Sequence, residues 1–147
     1  MDKLIRFKQT DLSKITNFRN GEVKFGEKMI ITPKDEDLVT FLKNAEAKYV
    51  LFGIPEDIGV RANLGRSGTS SAWEAAIKSI ANIQHNRFCK GSQIIVLGTI
   101  DTISLTKEAE KLDENNPEDR KQLFQLVEQI DKEVSHLVYN IVKANKI

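Results

Sequence analysis

The first third of the chain has a weak pattern of apolar and polar positions. The stretch "ITNFRNGEVKFGEKMII" alternates apolar and polar residues around Asn20-Gly21, a pair that favours a tight turn. We interpret residues 1–32 as a loose N-terminal arm with a short hairpin at this turn. Behind Pro33, apolar residues follow a run of acidic ones at helical spacing, which predicts a short amphipathic helix. These residues are Leu38, Phe41 and Leu42.

Two apolar runs with a helix between them predict a parallel β-α-β unit. "KYVLFGIP" is rich in β-forming residues and "SQIIVLGTID" is similar, so each indicates a buried strand. Between them, Ser71 and Glu74 have the spacing of a capping box and open a predicted helix of about 15 residues. Its apolar face holds Trp73, Ala76, Ile77, Ile80 and Ile83. The connection is long enough for a right-handed crossover.

The last segment predicts a long helix of about 25 residues. Asn116 can cap it, Pro117 suits its first position, and Glu118 and Asp119 favour the positive end of its dipole. An apolar stripe then repeats at spacings of three and four: Leu123, Val127, Ile130, Val134, Leu137 and Ile141. We expect this stripe to pack on the sheet of the same domain, and a partner helix stays open as the alternative. The alternating strands and helices are typical of a doubly wound α/β sheet that stops before its next strand.

Composition and charge narrow the class of protein. Hydrophobic residues make up 40% and charged residues 29% of the 147-residue chain, which is typical of one globular domain and not of a disordered, fibrous or membrane protein. With 22 basic and 21 acidic residues the net charge is +1, so neither nucleic acid nor a membrane surface is a predicted partner. The start lacks a secretory pattern, and we expect a cytoplasmic protein.

The residue types that usually carry metal or nucleophilic chemistry are scarce. His85 and His136 each fall in a predicted helix without a second ligand three or four residues away, so no metal site is predicted. Cys89 is the single cysteine and is expected to be buried or half-buried. Asp101 ends the second strand, where it could contact a ligand, but one carboxylate does not make a site. We predict no catalytic residue in this chain.

The loop "GIPEDIGVRANLGRSGTSS" holds the candidate binding groups. It follows a strand, and open α/β sheets bind ligands at the carboxyl ends of their strands. Arginine and carboxylate groups can form forked hydrogen bonds, so the loop suits a small zwitterionic ligand. The candidates are Glu56, Asp57, Arg61, Asn63 and Arg66. In the alternative interpretation, the two arginines pair with Glu56 and Asp57 and only hold the loop together. The loop lacks the Gly-Lys-Ser/Thr element of a phosphate cradle.

The same stretch resembles a known family. "YVLFGIPEDIGVRANLGRSGTSSAW" is similar to the first strand and loop of the arginase-like ureohydrolase superfamily, most closely its formimidoylglutamase-type members. The resemblance spans about Lys48 to Asp101 and extends loosely to the long final helix. It departs at Ser67, where the family often has proline. The matching positions are Gly53, Pro55, Glu56, Asp57, Gly59, Val60, Arg61, Asn63, Gly65, Arg66 and Gly68.

The resemblance implies a fold and a function. It implies that residues 1–147 are a single α/β domain, the N-terminal part of a three-layer αβα parallel-sheet fold in a longer, manganese-dependent enzyme. Such enzymes hydrolyse a carbon–nitrogen bond of a formimino or guanidino amino acid and commonly form homo-oligomers. Arg61, Asn63 and Arg66 would then orient substrate carboxylates or brace the loop.

The family's metal-binding motifs are missing from these residues. The Gly-Gly-Gly/Asp-His, Asp-x-His-x-Asp and Asp-x-Asp segments that hold Mn2+ in full-length relatives do not occur in the sequence. We therefore expect no Mn2+ binding and no catalysis by this chain alone. The alternative is a free-standing module derived from that fold, which binds a small ligand or is completed by a partner chain.

Overall fold

The computed structural model describes residues 3–33 and 36–145. Its strands are Leu4–Arg6 (β1), Ile30–Ile31 (β2), Tyr49–Gly53 (β3) and Ile94–Ile100 (β4). Its α-helices are Gln9–Ile15 (α1), Leu38–Asn44 (α2), Ile58–Ala62 (α3), Ala72–Ala81 (α4), Ile103–Ala109 (α5) and Pro117–Asn145 (α6). Short 3-10 turns cover Phe25–Glu27, Thr69–Ser71 and Gly91–Gln93.

The sheet is organised around β4. Strand β3 pairs with it in parallel, which confirms the predicted parallel pair of strands. Strand β2 is also parallel and pairs with the same two residues, Ile95 and Val96, so β2 and β3 lie on opposite edges of β4. Strand β1 pairs antiparallel with Gly98 to Ile100 of β4. It lies on the same edge of β4 as β2, opposite β3. The sheet is therefore mixed, because β1 adds an antiparallel strand that the sequence analysis did not predict.

Helices cover both faces of the sheet. Successive side chains of a strand point to opposite faces. Accordingly, Ile95 and Leu97 pack with α2 and α6, while Val96 packs with α1 and α4. A further cluster joins α3, α5 and the N-terminal half of α6, beyond the carboxyl end of β3. The chain thus has the predicted α/β architecture, with its loops at the carboxyl ends of β3 and β4.

Residues 3–32 belong to this core and are not the expected loose arm. Leu12, Phe25 and Met29 are buried against Val96 of the central strand. A turn does form at Asn20-Gly21, where Gly21 has a φ of +80°. No strands flank that turn, so the predicted hairpin is wrong. The segment is ordered by the pairing of β1 and β2 with β4 and by the packing of its apolar side chains on Val96.

Helix α4 is shorter than predicted and begins differently. It spans 10 residues, and the Ser71 hydroxyl donates to the Gly68 carbonyl instead of capping the helix. Asn82 is the C-cap residue of α4, and its side chain donates both to the Lys78 carbonyl in α4 and to the Ile15 carbonyl at the end of α1. His85 therefore lies outside any helix, contrary to prediction, and Nδ1 of its ring accepts from the Gly91 N–H. Cys89 is exposed, so the expectation of a buried or half-buried thiol is also wrong.

Helix α6 matches its sequence pattern closely. It spans 29 residues with Pro117 at its first position, and Asn116 Oδ1 accepts from the N–H groups of Glu118 and Asp119. Leu123, Ile130 and Leu137 are buried on the same chain, as predicted for packing within the domain. Nowhere in residues 3–33 and 36–145 is there a helix long and apolar enough to cross a membrane.

Candidate functional site

The Gly-rich loop lies where the sequence places it, between the carboxyl end of β3 and the start of α4. Within it, residues Ile58–Ala62 form the short helix α3, which the sequence analysis did not predict. The Thr102 hydroxyl, just beyond β4, donates to the Pro55 carbonyl at 2.7 Å. The loop is therefore anchored at the carboxyl ends of β3 and β4.

Asp57 organises the second half of the loop. Its Oδ1 accepts from the Gly68 N–H at 3.0 Å, the Ser70 N–H at 3.1 Å and the Thr69 hydroxyl at 2.6 Å. Its Oδ2 accepts from the Ser70 hydroxyl at 2.9 Å. These bonds hold the pKa of Asp57 well below its ordinary value, with the Thr69 hydroxyl as the largest cause. The carboxylate thus ties the loop to the 3-10 turn before α4.

Asp57→Asn is expected to lower the free energy of unfolding at neutral pH by about 1 kcal/mol, because charge-assisted hydrogen bonds are lost in a partly exposed loop. The carboxyl pKa is lower in the folded state than in the unfolded state. The wild-type advantage should therefore be complete above about pH 5, one unit above the ordinary Asp pKa, and shrink as the pH falls toward the depressed folded value. Urea unfolding of both proteins from pH 7 to pH 2.5 measures this difference. A gap that widens in acid would contradict the assignment.

Arg61 turns away from the loop toward the segment between α5 and α6. Its Nε and a terminal nitrogen donate to Glu114 Oε2 at 3.1 and 2.8 Å, and the pKa of Glu114 is lowered chiefly by this bond. The guanidinium also donates to the carbonyl of Ala109, the last residue of α5, and to the carbonyl of Leu112 beyond it. The side chain is only 17% exposed. Arg61 therefore holds two loops together, and its carboxylate partner is not one of the two expected.

The other three candidates differ in their availability. Glu56 Oε2 accepts from the Gly59 N–H at 2.8 Å, and Asn63 donates to the Gly59 carbonyl at 2.9 Å. Both therefore brace α3 from within the loop. Arg66 is exposed and, within the described ranges, makes no side-chain hydrogen bond or ion pair. Of the five predicted residues, Arg66 has the side chain most open to a ligand.

A cavity of about 490 Å3 lies beside this loop and was missed by the sequence analysis. Pro55 and Ser70 of the loop line it, together with residues of β1, α1 and α4. Strand β1 and helix α1 lie in the segment predicted as a loose arm, which could not form one side of a cavity. The only local signals are the alternation over Ile5, Arg6 and Phe7 and the helical spacing of Leu12 and Ile15, and each is too short to define an element.

The described residues do not fit a metal ion. In the part of the chain that the structure describes, no three His, Cys, Asp or Glu side chains come together as a group that could hold one. Asp101 Oδ1 accepts from the Ile103 N–H at the start of α5, and His136 is exposed on α6. No step of a reaction can be assigned to manganese on these residues.

Comparison with protein-family models, curated proteins and solved structures finds no match to this chain. The arginase-like interpretation therefore depends on the residues of the loop motif and on the position of that motif in the fold.

Proposed function

We propose that this chain is the N-terminal portion of a manganese-dependent hydrolase of the arginase/formimidoylglutamase type. The proposal is carried by one observation: the motif from Gly53 to Gly68 follows the carboxyl end of β3, one of two adjacent parallel strands. Enzymes built on open α/β sheets bind their substrates at this end. The substrate class is a formimino or guanidino amino acid, whose cleavage requires residues outside this sequence.

The roles of the motif residues follow from their contacts. Asp57 and Arg61 make bonds that fix the two halves of the loop, so they position the motif. Arg66 has an exposed guanidinium that can receive a substrate carboxylate in a forked pair of hydrogen bonds. Among the described residues no three His, Cys, Asp or Glu side chains form a group that could hold a metal ion, so the roles assigned here are binding and loop geometry.

A second candidate function is a binding module completed by a partner chain. The observation in its favour is the open edge of β3, which pairs with β4 on one side and with no other described strand. An unpaired edge is a template for a further strand. Under this proposal Arg66 would still be the residue open to a ligand, and the partner would complete the sheet.

The source gene distinguishes the two candidates. Reading it past the codon for Ile147 is expected to reveal a continuing frame that soon encodes an apolar strand and a Gly-Gly-Gly-His segment. A stop codon at that point would reject the first proposal and favour the partner-completed module.

The 147-residue chain is expected to release no ammonia, formamide or urea from formiminoglutamate or arginine in the presence of Mn2+. The reason is that the metal-bridging hydroxide that attacks in such enzymes needs ligands that this sequence lacks. The assay uses the purified chain beside an active enzyme of the family as positive control. Manganese-dependent turnover above the buffer blank would overturn the proposal.

A further inference from the structure

The cavity beside the loop, which we name the α1/α4 cavity, lies on the face of the sheet covered by α1 and α4. Its lining includes Ile5 and Thr99, which are paired across β1 and β4, and Trp73 and Ile77 of α4. The rings of Phe7 and Trp73 meet edge to face with centroids 6.4 Å apart. At about 490 Å3 the cavity is within the range of small-molecule sites. Its interior is thus mostly apolar and partly aromatic.

The charged groups that line this cavity are not equally available. The Arg6 guanidinium donates to the carbonyls of Pro33 and Glu36, and the Asp11 carboxylate accepts from the Lys8 N–H. Three further charged residues line the cavity: Lys14 of α1, and Glu74 and Lys78 of α4. None of the three makes an ion pair within the described ranges. Two ammonium groups from facing helices and one carboxylate therefore remain to meet a ligand.

We propose that the α1/α4 cavity binds a small carboxylate with an apolar, preferably aromatic, body. The body packs against Phe7, Trp73 and Ile77, and the carboxylate faces Lys14 and Lys78. The exposure of Ile5 supports this, since 47% of its surface stays open although it lies on the sheet and lines the cavity. A ligand that covers such apolar surface removes it from water, which contributes favourably to the free energy of binding. The proposal is independent of the proposed hydrolase function, because it uses none of the five loop candidates.

Trp73 is the only tryptophan of the chain, so its fluorescence reports directly on this cavity. The probes share one phenyl body and differ in the head group: 4-phenylbutyrate, 4-phenylbutanol and 4-phenylbutylamine. Titration at constant low ionic strength should give a saturable change of Trp73 emission with the acid. We expect the acid to bind about three- to tenfold more tightly than the alcohol, which is the contribution of two exposed ion pairs, and the amine to bind most weakly.

Lys14 and Lys78 supply the matched test of charge. The double variant Lys14→Gln/Lys78→Gln should bind the acid no better than the alcohol, while its affinity for the alcohol stays unchanged. Lys132→Gln, which removes an exposed lysine of α6 that does not line the cavity, should leave both affinities unchanged. Circular dichroism of each variant checks that it folds.

Three results would overturn the proposal. The first is equal affinity for the three probes, since the lysines would then contribute nothing. The second is an equal loss of affinity for the acid in Lys132→Gln and in the double variant, since the overall charge of the protein would then explain the loss. The third is a Trp73 that acrylamide cannot quench and no probe perturbs, because the cavity would then be filled by the protein itself.

Discussion

Replacing Gly98 by alanine is expected to lower the free energy of unfolding by about 3–5 kcal/mol, among the largest losses from a single substitution. Gly98 lies in the central strand with a φ of +132°, a conformation that side chains rarely adopt. An added Cβ would collide with the Ile5 carbonyl oxygen and lie 2.8 Å from the Phe7 backbone nitrogen. Because both obstacles are backbone atoms of the β1 segment, no rotamer change relieves the clash. The β1 segment must move away from β4.

Gly68→Ala separates the clash from the backbone strain. Gly68 has nearly the same φ, +134°, but a Cβ there would meet no atom within 4 Å. Its replacement should therefore cost only the conformational strain, about 1–2 kcal/mol. Urea unfolding followed by circular dichroism measures both variants against the wild type. Equal losses would show that φ alone sets the cost and that β1 is not held tightly against Gly98.

Elements with a strong local pattern were predictable from the sequence. Helix α6 is the clearest case, because Asn116 and Pro117 define its start and its apolar residues recur at spacings of three and four. Strands β3 and β4 are recognisable as apolar runs bounded by turn residues. In each of these elements the local preference and the tertiary environment agree.

Elements that depend on distant contacts were not predictable. Strand β1 has three residues and helix α1 has seven, too few for a period to stand out. Both become regular because β4 offers an edge and an apolar face on which they pack. The bulge in the pairing of β3 with β4 is a property of two strands together and has no signature in either one.

The loop was located correctly, whereas the partners of its side chains were not. Asp57 binds residues 68–70, and Arg61 binds Glu114, 53 positions later in the sequence. No local spacing relates such residues, so only the fold brings them together. Sequence reasoning therefore identified the charged groups of the loop but could not separate those that hold it from the one that remains open.

Arg61→Met is the second prediction with a large expected effect, a loss of about 2–3 kcal/mol in the free energy of unfolding. Methionine keeps much of the apolar stem but removes every donor of the guanidinium. The carbonyls of Ala109 and Leu112 would lose these bonds at a site where the arginine is only 17% exposed. Arg61→Lys keeps a positive charge and should recover part of the loss. The recovery should be incomplete, because one ammonium cannot bond both carbonyls and Glu114 in the same geometry. Urea unfolding at pH 7 provides the comparison.

Arg66→Met is the matched control, because it removes an arginine from the same motif. Its side chain is exposed and unpaired among the described residues, so the expected change is within about 0.5 kcal/mol. If Arg61 acts through Glu114, then Glu114→Gln should also destabilise the wild type more than it destabilises the Arg61→Met variant. Equal losses of unfolding free energy in Arg61→Met and Arg66→Met would contradict the assignment of Arg61 as the structural arginine. Additive losses in the Arg61→Met and Glu114→Gln variants would contradict its pairing with Glu114. A loss confined to Arg61 would make it the anchor of the loop, and Arg66 would then be the motif arginine free to bind a ligand.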